Sequence, residues 1–141
     1  MTKKFKILSK FVKDMSSETP NVETYLHVKD HISKYQLDID INSKAIKNGL
    51  IEINTTFKFK EPQETQKKSY FEIIFATVVK IDDDVKENKK ELQRVILCDS
   101  QIEIYPYLEK VFLNLLEYSG YPGIKFEKKV DFEKLYNQKF N

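Results

Sequence analysis

Ser69–Ile81 reads SYFEIIFATVVKI, and both of its alternating faces are apolar. Phe71, Ile73, Phe75 and Val79 fall on one side; Tyr70, Ile74, Ala76 and Val78 fall on the other. An antiparallel strand normally wets one face. Two apolar faces therefore predict a central strand, with helices over one side and something else over the other, most simply a partner subunit. The residues before it supply neighbours. Leu50–Lys60 alternates, with Ile51, Ile53, Thr55, Phe57 and Phe59 on one side, and Glu61-Pro62 ends it. Glu61–Lys68 is a polar turn. Gln36–Ile41 (QLDIDI) also alternates, with Leu37, Ile39 and Ile41 inward and Asp38 and Asp40 outward. Asn48-Gly49 between these two runs is a strong hairpin signal. Phe5–Asp14 (FKILSKFVKD) has a rough period of two and reads as a further strand.

Between Phe5–Asp14 and Gln36–Ile41 lies a long polar connection, Ser16–Lys34. Pro20 breaks any helix begun earlier, and no helix is predicted here. Val22, Tyr25, Leu26, Val28 and Ile32 give it more apolar groups than a solvated linker needs, and long loops of this kind are usually functional or disordered. Downstream, Asp82–Asn88 reads as an acidic loop and Lys89–Cys98 as a short helix. Ile102, Tyr105, Leu108, Phe112, Leu115, Leu116 and Tyr118 then recur at three and four residues, the mark of an amphipathic helix. Pro106 belongs in a first turn, so that helix is predicted to start near Tyr105, and Ser119-Gly120 ends it. Asp131–Phe140 (DFEKLYNQKF) reads as a final short helix. Four strands followed by helices specify an α+β fold, a small antiparallel sheet with helices on one face.

Composition narrows the function. The 141 residues are read as one domain, residues 1–141. There are 24 basic and 22 acidic residues, a net charge of +2, so no strong global field draws nucleic acid or anionic lipid. One cysteine, Cys98, excludes an intrachain disulfide framework and reads as a buried, inert thiol. No apolar run approaches the ~18 residues of a membrane span, and Met1–Phe5 has no apolar core of a signal peptide. A protein of a reducing compartment is expected. His27 and His31 are spaced i, i+4, with Glu23 and Asp30 nearby, but without a third ligand in fixed relation they read as polar loop residues and no metal is expected. Ser43, Ser69 and Ser100 lack the Gly-rich elbow a nucleophile needs, and Asp82-Asp83-Asp84 lacks the spacing of a calcium loop. Arg94 is the only arginine, and guanine reading and base stacking favour Arg. Lysine alternates with aromatics at Phe57–Lys60 as a wet face alternates with a core face, so no nucleic-acid partner is expected. No catalytic constellation can be assembled.

Several short motifs, in order, resemble the SecB family of protein-export chaperones. Phe11–Asn21 (FVKDMSSETPN) is similar to the family's first strand and turn. Lys29-Asp30-His31 followed by Leu37-Asp38-Ile39-Asp40, then Tyr105-Pro106-Tyr107, Tyr121-Pro122 and Val130–Tyr136 (VDFEKLY), match in sequence order from Phe5 to about Phe140. The resemblance implies a four-stranded antiparallel sheet with a crossover loop between the first two strands and two helices packed on one face. It implies a cytoplasmic homotetramer, a dimer of dimers without nucleotide or other cofactor, that holds unfolded preproteins and passes them to the SecA motor without entering the membrane. A branch of the family holds an antitoxin instead, and Tyr105–Glu109 is similar to that branch too. The family's crossover-loop Trp is His31 here, its fourth-strand Gly pair is replaced around Ala76-Thr77, and its usual acidity is absent. The client groove is expected between the Thr19–Tyr35 connection and the last helix, with Tyr25, Leu26, Ile32, Tyr35, Leu37, Phe132, Leu135 and Tyr136 as client contacts. Asp14, Glu18 and Glu72 match the motor-binding carboxylates.

Overall fold

Alternation writes the sheet. A computed structural model describes residues 4–62, 67–126 and 130–140; part of the Glu61–Lys68 turn and Met1–Lys3 lie outside them. The strands are β1 (Phe5–Glu18), β2 (Gln36–Ala45), β3 (Leu50–Lys60) and β4 (Tyr70–Ile81), antiparallel in the order β1-β4-β3-β2. The doubly apolar β4 is central, as its composition requires. β2 and β3 form a hairpin in which Leu37 lies opposite Phe59 and Ile41 opposite Thr55. Asn48 and Gly49 both have positive φ, 65° and 71°, the backbone that tight hairpins select. β1 runs four residues beyond its apolar stretch, to Glu18, and carries two register irregularities, at Ile7/Ser9 and Val12/Asp14. Such bulges increase the twist of an edge strand.

β1 and β2 are the two edges, so the chain crosses the whole sheet between them. That crossing contains α1 (Val22–His31), which corrects the expectation of a loop without a helix. Pro20 does not break the helix; it stands one residue before the cap. The Asn21 side chain accepts a hydrogen bond from the Thr24 amide at 2.8 Å, Glu23 lies in the first turn, and Lys29 and His31 lie in the last. These are favourable ends for a helix dipole. The buried stripe is Thr24, Val28 and Ile32, spaced four apart.

Downstream, the expected acidic loop holds a helical turn, and the long helix starts earlier than expected, at Ser100 rather than near Tyr105. Asp82–Asn88 contains a single helical turn, α2 (Asp83–Glu87), pinned by buried Val85. α3 (Lys89–Arg94) passes through a π turn (Val95–Asp99) into α4 (Ser100–Tyr118). The Ile96 carbonyl, which the wide turn displaces from α-helical pairing, accepts from Ser100 Oγ at 3.0 Å and Gln101 Nε2 at 3.2 Å. Pro106 therefore sits inside a helix, on its exposed side together with Ile102, whose carbonyl loses its donor. α5 (Phe132–Phe140) ends the fold, with Asp131 Oδ1 accepting from the Lys134 amide at 3.0 Å.

The core lies between the sheet and α4. Phe57, Phe71, Ile73 and Phe75 from the sheet meet Ile104, Leu108, Phe112 and Leu116 from α4, all essentially excluded from solvent. Phe112 makes edge-to-face pairs with both Phe57 (5.8 Å) and Phe59 (6.2 Å), a preferred aromatic geometry. A smaller cluster of Phe5, Ile53, Val79, Ile81, Val85, Val95 and Ile96 seals the hairpin end. Buried Thr55 donates to buried Gln101 at 2.8 Å, joining sheet to helix. Among the described residues, no helix packs on the other face of the sheet.

Candidate functional site: an apolar groove and an acidic sheet face

α5 does not lie flush on the sheet edge. Between it and β2 is a groove of about 580 Å³. Leu37, Asp38 and Ile39 form one wall, and Asp131, Lys134, Leu135 and Gln138 the other, with Phe126 and Val130 between them. The β2 wall follows from the QLDIDI alternation, whose inward residues stay half-buried because no neighbouring strand covers this edge.

The eight expected client contacts do not share one setting. Leu37 and Leu135 line the groove, and Leu135 is 42% exposed. Leu26 is 55% exposed on α1, outside the groove lining. Ile32, Tyr35 and Phe132 are buried, at 7%, 7% and 2%. Tyr35 accepts from the Ser69 amide at 3.1 Å and packs on Phe59, and burial pushes its phenol up. Phe132 stands edge-on to Tyr105 at 5.6 Å. These three belong to the buried core and are not among the residues that line the groove. Tyr25 is half-buried against Tyr121 at 5.3 Å, and its hydroxyl donates to the Gly120 carbonyl at 2.9 Å. Tyr136 packs beside Arg94 on the far side of α5. Ile39, Phe126 and Val130 are lining residues that sequence reading missed. Ile39 was legible in its strand; Phe126 and Val130 lie in irregular chain with no periodic signal.

Asp14, Glu18 and Glu72 come together on the open sheet face. Ser16 of β1 lies opposite Glu72 of β4, with Asp14 opposite Ile74 and Glu18 opposite Tyr70. The Tyr70 hydroxyl donates to Glu72. Burial first, then that hydrogen bond and the charges of Glu72, Glu18 and Asp14, push the Tyr70 phenol up to about 12. Asp38 and Asp40 extend the acidic surface across a shallow hollow shared with Thr56, Lys58 and Lys60, in which Lys60 pairs with Asp38 at 3.0 Å.

A pH dependence follows. A phenol whose folded pKa is raised contributes stability that is complete below the unfolded pKa of about 10 and lost as pH rises toward 12. Urea unfolding measured across that interval is expected to give a smaller loss of stability for Tyr70→Phe than for the unaltered chain. Equal slopes would mean that the fold does not hold the Tyr70 phenol above its ordinary value.

His27 and His31 sit on α1 rather than a loop. Their rings stack at 4.3 Å, and His31 Nδ1–H donates to the His27 carbonyl at 2.8 Å. Among the described residues, no three His, Cys, Asp or Glu side chains converge as a metal set. Cys98 is buried, which pushes its thiol up. No described helix is long and apolar enough to cross a membrane.

Along the β1 edge, Leu8, Phe11, Val12 and Met15 are exposed, and Tyr107 of α4 is exposed beneath Lys10, whose ammonium lies 4.8 Å from the ring.

Residues 1–141 match the family model of "Preprotein translocase subunit SecB". The chain is 57% identical to the putative protein-export protein SecB of Pelagibacter ubique over 141 residues, all of both chains. It is 24% identical to the protein-export protein SecB of a Bradyrhizobium species, over 94% of this chain and 79% of that one. A SecB-like chaperone of Mycobacterium tuberculosis, solved with a peptide from an antitoxin, superposes with a TM-score of 0.62 at 12% identity, covering 89% of this chain and 91% of that one; at this identity the likeness is one of fold. With the family matched from end to end and more than half of the positions shared with one whole relative, the chain belongs to the SecB family.

Proposed function

We propose that this member of the family is an ATP-independent holdase of protein export: it keeps unfolded preproteins extended against the groove between β2 and α5 and hands them to SecA across the acidic sheet face. The observation that carries this reading is the groove itself, an apolar trough left open at a sheet edge and walled by Leu37, Ile39, Phe126, Val130 and Leu135. Burial of apolar surface yields about 25 cal/mol per Å². One groove side chain therefore holds a client weakly, and a client lying in several grooves is held by avidity.

Several grooves require several subunits. The β1 edge supports this: a sheet edge leaves backbone groups unpaired, and here it is flanked by exposed Phe11, Val12 and Met15. A second copy covering that edge is the first step toward a tetramer, the assembly we propose for a cytoplasmic holdase. For the motor, Asp14, Glu18 and Glu72 offer one cluster of carboxylates to a basic partner segment. The reading requires no metal, nucleotide or nucleic acid.

The test is suppression of aggregation of several unrelated unfolded proteins without ATP. Protection of all of them is expected; protection of none would overturn the holdase reading. Protection of one would favour the second reading, a chaperone dedicated to a single partner such as an antitoxin. Reversing the charge of Asp14, Glu18 and Glu72 to Lys is expected to weaken SecA binding at least tenfold, about 1.4 kcal/mol, while client protection is retained. Exposed ion pairs are individually worth under about 1 kcal/mol, so the triple variant is needed. Unchanged SecA affinity would refute the assignment.

A further inference from the structure

We propose that Arg94, the only arginine of the chain, is a positioning residue that holds the client groove open by tying α5 to the helices on its far side. The inference rests on the groove reading above and names what sets the groove's width.

Leu135 of α5 and Leu37 and Ile39 of β2 face one another across the groove. Bringing them together would bury apolar surface, so an untethered α5 is driven to close the trough that clients need. The ties that hold α5 run the other way. Arg94 Nη2 pairs with Glu133 Oε1 at 2.5 Å, and its guanidinium lies 5.7 Å from the Tyr136 ring. Arg94 Nε also faces Asp99 of the π turn at 3.6 Å. The Tyr136 hydroxyl donates to the Lys90 carbonyl at 3.5 Å. Glu133 and Tyr136 are three residues apart, so they share the face of α5 turned away from β2. Arg94 thus meets two consecutive turns of α5 from one side, while its other edge is steadied by Asp99.

The chemistry calls for arginine. A planar fork can engage Glu133 and Asp99 through different nitrogens and lie against an aromatic ring at once. A lysine ammonium is a point charge and cannot do all three. Every other side-chain cation of the chain's 24 Lys and Arg is lysine. Tyr136, expected from sequence to touch clients, takes part in this tether.

The test separates the tether from client binding. Leu37→Cys and Leu135→Cys are introduced together, and disulfide formation between them reports closure of α5 on β2, since Cys98 is buried. Adding Arg94→Gln is expected to raise the crosslinking rate about tenfold. Arg94→Lys should recover part of the difference, and the charge swap Arg94→Glu with Glu133→Arg, which restores the one ion pair but sets a second carboxylate against Asp99, should recover no more than that. Amide exchange in β4 should not change, which distinguishes closure from unfolding. In the chain with its native Leu37 and Leu135, Arg94→Gln is expected to lower affinity for a reduced, carboxymethylated unfolded protein about tenfold. Equal crosslinking rates with and without Arg94 would overturn the proposal, as would faster crosslinking with client affinity unchanged. If the unaltered chain bound no unfolded protein, the holdase reading would fail and the crosslinking rates would still decide what Arg94 does.

Discussion

Replacing Leu37, Ile39 and Leu135 together by serine is expected to lower affinity for an unfolded protein by about two orders of magnitude. Each side chain loses roughly 1 kcal/mol of apolar burial against the client, and a total of about 3 kcal/mol is a factor of more than a hundred in Kd. Where a client spans several grooves the loss multiplies with the number engaged. All three residues are partly exposed in the free chain, so the folded state should survive; a circular-dichroism melt confirms that before binding is read by anisotropy of a labelled client. Leu26→Ser is the comparison. Leu26 is more exposed than Leu135 but lies outside the groove lining, and its loss should change Kd by less than about threefold, under 1 kcal/mol. A triple variant within threefold of the unaltered chain would sink the groove. Ile32 is a poor probe here, because it is buried and its replacement would perturb folding as well as binding.

What could be read in the sequence depended on which residues are forced to advertise their surroundings. β2, β3 and β4 are legible because each opposes a core and must alternate or be apolar throughout, and Asn48-Gly49 reports the turn. The polar end of β1 is not: Asp14–Glu18 pairs with β4 through backbone bonds that leave no side-chain pattern. α1 was hidden for a related reason. Its buried stripe begins with Thr24, a polar residue, and its cap follows a proline that looks like a terminator when read alone. Pro106 misled in the opposite direction, since a helix that exposes the site of the missing hydrogen bond tolerates it. In the groove, composition could say that Tyr25, Leu26 and Ile32 were too apolar for a linker. It could not say which would be spent on the core and which left at the surface, because that depends on which face α1 turns toward the core. The carboxylates are 58 residues apart at the extremes, Asp14 to Glu72. Only the β1–β4 register brings them to one phenol, so no local pattern could announce them; the family resemblance did.

The second large effect concerns the joint between the crossing segment and the end of α4. Gly120 has φ +102°, and a Cβ built there would lie 2.7 Å from a ring carbon of Tyr25. Gly120→Ala therefore meets two penalties. The backbone conformation costs a residue with a Cβ about 1–2 kcal/mol, and the contact forces Tyr25 away from Tyr121 and from the Gly120 carbonyl, losing a hydrogen bond worth about 1 kcal/mol. The sum, about 3 kcal/mol, is a large share of a domain stability of roughly 5–15 kcal/mol. Gly123 provides the control. Its φ is +80°, but nothing lies within 4 Å of the Cβ position, so Gly123→Ala should lose only the backbone part, about 1–2 kcal/mol. Unfolding in urea is expected to separate the two variants by about 1 kcal/mol, the part that comes from displacing Tyr25. Adding Tyr25→Ala should recover part of the loss at Gly120 and none at Gly123, since only the first alanine strikes the tyrosine. If both glycines tolerate alanine equally, Tyr25 does not fasten α1 to the end of α4. The buried residues of the crossing, Val28, Ile32 and Tyr35, would then have to hold α1 in place without that clasp.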